Sequence, residues 1–149
     1  EYDVMRRPPR DLSIGILHAK RWMYMAIEGS IMGIATLFLF FFASSRFDYA
    51  YAQTMAFATL AFAQLIHAFN NRSTRKSLFQ IGLLGNKPLI LAALVSILLQ
   101  VVVTQTVAGN HIFKTITLDA QKWLLVGFAS LVPFAVVELK KQLRFRILP

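Results

Sequence analysis

The sequence predicts an all-α membrane protein with four transmembrane helices and both termini on the cytoplasmic side. Three observations carry this. Of the 149 residues, 56% are hydrophobic and 15% charged, whereas ordinary soluble domains run at roughly 45–50% apolar and about 25% charged. Apolar runs of about 20 residues, enough to cross a bilayer core of roughly 30 Å as a helix, recur four times. Thirteen of the sixteen Lys and Arg residues fall on one side of the runs, and short cytoplasmic loops are where such residues concentrate.

Residues 1–21 read as a cytoplasmic loop or coupling segment. They hold no apolar stretch behind a basic start, so they do not form a signal peptide, and without an initiator Met an internal segment is the simpler expectation. The first span covers 22–42 and ends in the run from Leu37 to Phe42. A tight link follows, and the second span covers 51–70. The basic connection 71–87 carries Leu78, Phe79, Ile81, Leu83 and Leu84 among its charges, which lays it against the membrane face or a partner. The third span, 88–107, opens on Pro88, a residue suited to a first helical turn. A polar extracytoplasmic loop, 108–122, contains Gly109, Asn110 and Asp119. The fourth span, 123–139, contains Pro133, which either kinks the helix or is accommodated by neighbours. The tail 140–149 is basic. Trp123 and Tyr49 suit the interface, where amphipathic rings settle.

A net charge of +9 raises nucleic-acid binding as a rival, but the basic residues lie in short clusters between apolar runs of helical length, which fits a lipid bilayer as the partner and no nucleic acid. Cysteine is absent, which excludes disulfides and thiolate metal sites. There is no Gly-rich phosphate loop, no His-Glu-x-x-His motif and no nucleophile with a base and an orienter. The chain alone is not expected to catalyse a reaction, and it contains no complete metal site.

Polar residues inside the spans are the functional candidates, because an isolated charge there costs at least about 2.5–3.5 kcal/mol. Glu28, a membrane carboxylate near the start of the first span, reads either as a proton- or cation-handling group or as a packing carboxyl that bonds a neighbouring helix or snorkels to the surface. Gly29 and Gly33 form a Gly-x-x-x-Gly pair that lets another backbone approach, in this chain or elsewhere. Gln64 lies near the bilayer midplane and His67 follows one turn on, with Phe57, Leu60 and Ala61 on the same face. An amide offers a carbonyl oxygen to a hard cation and His binds protons or transition metals, while the alternative for both is interhelical hydrogen bonding. One amide is no calcium site, since calcium takes six to eight oxygens. Glu138, beside Lys140 and Lys141 at the exit of the last span, reads as a solvated surface ion pair.

The order of these features resembles one family. Asp3, Met5, Arg6, Arg7, Pro8, Pro9 and Arg10 lie in a stretch that resembles the Asp-x-Met-x-Arg-Pro-Pro-Arg loop between the sixth and seventh membrane helices of P-type calcium ATPases. The segment from Trp22 to Ile27 resembles the start of that family's seventh helix, Gln53 to Leu60 the start of its eighth, and Asn70 to Ser73 the polar exit from it. Asn86-Lys87-Pro88 and Trp123 with Pro133 and Glu138 fit the ninth and tenth. The resemblance covers essentially the whole chain. It implies a C-terminal membrane segment of a pump that couples ATP hydrolysis, through a phosphorylated aspartate, to calcium transport, usually with proton counter-transport. ATP, Mg2+ and transported Ca2+ would belong to the intact protein, and the partners would be its remaining membrane helices and its phosphorylation domain. The first loop, with Arg6, Arg7 and Arg10 as polar contacts, would help connect that domain to the membrane. Gln64 matches the position of a glutamate in two-calcium members, so the resemblance implies either a pump that moves one calcium per cycle or one with an altered choice of ion. Glu28 falls where animal members are expected to carry glycine, so its role does not carry over. A bacterial plasma membrane is the expected location. The rival expectations are an autonomous four-helix proton-coupled exporter using Glu28, and a non-catalytic membrane scaffold docking through Gly29 and Gly33.

Overall fold

A computed structural model of the chain describes residues 19–72, 78, 82 and 85–147. The loop residues Asp3, Arg6, Arg7, Pro8, Pro9 and Arg10 lie outside the described residues. Those described are helical with no strand, in five elements: α1 (Ala19–Ser44), α2 (Tyr49–Asn70), α3 (Lys87–Gln105), α4 (Val107–Phe113) and α5 (Ala120–Ile147). Four of them, α1, α2, α3 and α5, are long and apolar enough to cross a membrane.

The four-residue link after Ser44 folds α2 back along α1. Phe47 and Arg46 donate backbone N–H groups to the Ala43 carbonyl at 2.7 and 3.1 Å, which closes the turn. α5 runs beside α2 in the same direction, since Phe62 meets Trp123 edge to face at 5.8 Å and Lys141 reaches the Asn70 carbonyl at 2.6 Å. The bundle therefore has two ends. The turn end holds the α1–α2 link and the start of α5; the basic end holds the start of α1 and the ends of α2 and α5.

The apolar core sits toward the turn end, where Leu39 and Ala43 of α1 meet Ala52, Met55 and Ala58 of α2, Val126 of α5 and Leu118 of the segment before it. Alanines on the buried face of α2 allow the helices to come close. α1 and α3 leave most of their apolar side chains exposed, Phe38, Leu91 and Leu98 among them. For a helix in lipid that exposure is the expected state, since hydrocarbon tails are as apolar as the side chains.

α3 begins at a cap. The Asn86 side chain accepts the Leu89 N–H at 3.1 Å, and Pro88 follows in the first turn. The helix ends at Gln105, two residues before the expected boundary. There Thr106 turns extended, and its hydroxyl accepts the Gly109 N–H at 3.1 Å to start α4 inside the stretch expected to be loop. Gly109 is required at this corner, because a Cβ on it would stand 2.5 Å from the Val103 carbonyl oxygen. The strap 115–119 then ties the turn end together. The Ile116 N–H donates to Thr54 Oγ1 of α2 at 3.1 Å, the Thr115 hydroxyl to Val103 O at 3.0 Å, and the Gln105 amide to Leu118 O at 2.9 Å. α5 continues through Pro133, whose buried ring is accommodated rather than breaking the helix.

Candidate functional site

α2 has two faces, and its functional residues divide between them. Ala52, Met55, Ala58, Thr59, Ala63 and Asn70 are buried. Gln53, Phe57, Leu60 and Gln64 are exposed, at the four- and three-residue spacings that build one helical stripe. Gln64 therefore points away from the helices of this chain.

His67, one turn further on, turns toward α1. Its Nε2 stands 3.3 Å from Glu28 Oε2, with the imidazole 13% and the carboxylate 21% exposed. The structure thus joins two of the residues singled out in the sequence, and Gln64 is not part of that pair. Glu28 has a specific interhelical partner, which is how a carboxylate is tolerated at that depth.

α5 completes the cluster at the basic end. Lys141 donates from Nζ to the Asn70 carbonyl at 2.6 Å, so it satisfies an acceptor at the end of α2 where helix carbonyls lack partners. The same ammonium is within electrostatic reach of Glu138 and Glu28. Glu138 is 4% exposed, and its Oε1 accepts the Leu78 N–H at 3.0 Å. This corrects the reading of Glu138 as a solvated surface pair: the carboxylate is buried because it receives the backbone of the α2–α3 connection. Leu78 is itself buried, held against α5 by that bond; Phe79, Ile81, Leu83 and Leu84 lie outside the described residues. Lys140 instead lies over the Tyr24 ring of α1, 4.4 Å from its centroid, an attraction between cation and ring quadrupole.

Gly29 and Gly33 meet no close neighbour. A Cβ at either position would find nothing within 4 Å among the described residues, so this face of α1 is open.

A second polar cluster, missed in the sequence, lies at the turn end. Lys122 is buried, its ammonium 2.6 Å from Asp119 Oδ2 and 4.7 and 4.4 Å from the ring centroids of Phe47 and Tyr51. The Lys122 ammonium and N–H hold the Asp119 carboxyl below the ordinary aspartate value. The signal available in the sequence was the three-residue spacing of Asp119 and Lys122, a pairing distance only once residues 120–122 are helical. Among the described residues, no three His, Asp or Glu side chains converge to hold a metal ion.

Comparison with known proteins adds the family context. Residues 1–143 match the family described as cation transporting ATPase, C-terminus. The chain is 40% identical to the calcium-transporting ATPase of Bacillus subtilis over 89% of its own length, which is 15% of that protein. It is 32% identical to calcium-transporting ATPase 1 of Bacillus cereus, covering 93% of this chain and 18% of the relative. Calcium-transporting ATPase type 2C member 2 of Rattus norvegicus is likewise 32% identical, over 93% of this chain and 15% of the relative. The chain thus spans less than a fifth of the length of these relatives.

Proposed function

Because the chain belongs to the family of cation-transporting ATPase C-terminal segments, we propose that it supplies the last four membrane helices of a P-type pump that moves calcium, or a related cation, across a membrane with ATP. The observation that carries this reading is the family match over nearly the whole chain, together with relatives named as calcium transporters. ATP and Mg2+ act elsewhere in the intact protein, and the coupling loop with Asp3, Arg6, Arg7, Pro8, Pro9 and Arg10 links this sector to the phosphorylation domain. The basic end faces the cytoplasm, in keeping with where basic residues concentrate in membrane proteins. A bacterial plasma membrane accords with the Bacillus relatives.

The geometry supports a supporting role with one point of contact to the ion path. Gln64 stands exposed on α2, and an amide within a membrane span is stable against protein or water rather than lipid. The occupants that fit are the pump's other membrane helices, with Gln64 lining the ion pathway as a neutral group and the pump carrying one calcium per cycle. The open Gly29 and Gly33 face of α1 offers those helices a second place to pack. In the full-length protein reconstituted in vesicles, Gln64→Ala is expected to change calcium affinity or the number of ions moved per ATP. Unchanged calcium transport and unchanged proton exchange would remove Gln64 from the pathway.

A further inference from the structure

The contacts of α4 and the strap fix how deep they sit. α2 has 22 residues, so it is about 33 Å long and fills a hydrocarbon layer of about 30 Å. Its first residue, Tyr49, therefore marks the edge of that layer. Thr54, five residues on and about 8 Å deeper, accepts the Ile116 N–H at 3.1 Å. Phe57, eight residues on and about 12 Å deeper, stacks on Phe113 with ring centroids 6.4 Å apart. Gly109 lies against the carbonyls of Val102 and Val103 in the last turns of α3. α4 and the strap 115–119 thus lie alongside the ends of α2 and α3 instead of standing beyond them.

Backbone at that level needs partners, because lipid supplies none. Side chains provide them here. Thr54 accepts the Ile116 N–H, the Gln105 amide donates to the Leu118 carbonyl at 2.9 Å, and Asn110 Nδ2 donates to Thr117 Oγ1 at 3.1 Å. A loop in water would draw on the solvent for such bonds. The apolar side chains point the same way. Val107 is 88% exposed, Ile112 71% and Phe113 53%, and in the chain they follow directly on the exposed Val101 and Val102 of α3. All three are bulky, whereas faces that pack helix on helix in a membrane favour small residues. Exposed polar groups accompany them at His111 and Lys114, and Lys114 closes α4 in the left-handed conformation. A lysine stem lies along apolar surface while its ammonium reaches the headgroups.

We propose that α4 is an interfacial helix seated in phospholipid at the turn end of the bundle. Val107, Ile112 and Phe113 lie among the upper acyl chains, and Lys114 extends to the lipid phosphates. The partner is the bilayer itself. Mixed apolar and cationic side chains suit the layer where hydrocarbon meets headgroup. Through the Phe113–Phe57 stack, the lipid-held helix braces the exposed stripe of α2. The first part of the stretch 108–122, expected to be a loop outside the membrane, belongs inside its boundary. The inference rests on the chain spanning a membrane and is independent of the ion that the intact protein moves.

The test uses the full-length protein in a cysteine-free background, reconstituted in lipid nanodiscs, with a bimane fluorophore on Ile112→Cys. One quencher is a phospholipid carrying a nitroxide high on its acyl chain; the other is aqueous iodide. The label at 112 should lose its fluorescence with the nitroxide lipid and keep it with iodide. A label on Ser45→Cys, in the α1–α2 turn, should lose its fluorescence with iodide. Val107→Cys is read in the same way and decides the matter where the Ile112 variant does not fold. Quenching of the α4 label by iodide would put the helix in water, and quenching by neither would put it beneath other parts of the protein. Either result would overturn the proposal.

Discussion

Lys122 shows how much one side chain can organise when its charge is enclosed. Its stem is buried, its ammonium bonds Asp119, and two aromatic rings, from the α1–α2 turn and from α2, lie against it. Lys122→Met keeps the apolar stem but removes the ring attraction and leaves Asp119 without its cation. The lost ring contacts alone account for about 0.5–2 kcal/mol, read as a lower thermal midpoint in detergent. Asp119 makes a pH prediction. Its carboxyl is held below the ordinary value in the folded protein, so the stabilisation is present above the unfolded value near pH 4 and is lost as pH falls through the lowered folded value. Asp119→Asn should therefore melt below the parent at pH 7, and the gap should close as pH falls through the lowered folded value. A gap independent of pH would show that the charge is not what matters. Gly109 is the third residue of this kind, since a Cβ there would meet backbone at 2.5 Å. Gly109→Ala should cost about 1–3 kcal/mol through displacement of the chain, while Gly127→Ala, which meets nothing within 4 Å, should be near neutral in the same melting assay.

At the scale of elements, the four long helices were legible in the sequence because apolar length alone dictates them. α4 was not. Its seven residues carry polar groups and lack apolar periodicity, and only the Thr106 cap and the strap beyond Lys114 make it a helix. Glu28 and His67 were each legible as unusual polar residues, but their partnership depends on antiparallel register. Glu28 lies 16 residues before the end of α1 and His67 18 residues after the start of α2, so a tight turn brings them level. The burial of Glu138 was not legible, because its partner is the backbone of Leu78, 60 residues away in sequence. Local spacing had pointed to Lys140 and Lys141 instead. The cap on α3 gives an element-scale check. Asn86→Ala removes the acceptor for the Leu89 N–H and should lower stability by about 1 kcal/mol, with faster amide exchange confined to the first turn of α3.

For the whole molecule, the four helices form an incomplete surface. α2 and α5 bury one face each, but the Gln64 stripe of α2 and the Gly29 and Gly33 face of α1 remain open. A self-sufficient exporter using Glu28 would need that carboxylate facing a passage, whereas the structure pairs it with His67 between helices. The chain belongs to a family of pump C-termini and spans less than a fifth of the relatives it matches, and the open faces suit it to a larger membrane domain. The central claim is tested most directly by measuring uptake of radioactive calcium into inverted membrane vesicles. One set carries the full-length protein and another carries residues 1–149 alone. ATP-dependent uptake with the full-length protein and none with the four helices is the predicted result. Failure of the full-length protein to take up calcium or a related cation with ATP, or transport driven by a proton gradient in the four helices alone, would contradict it.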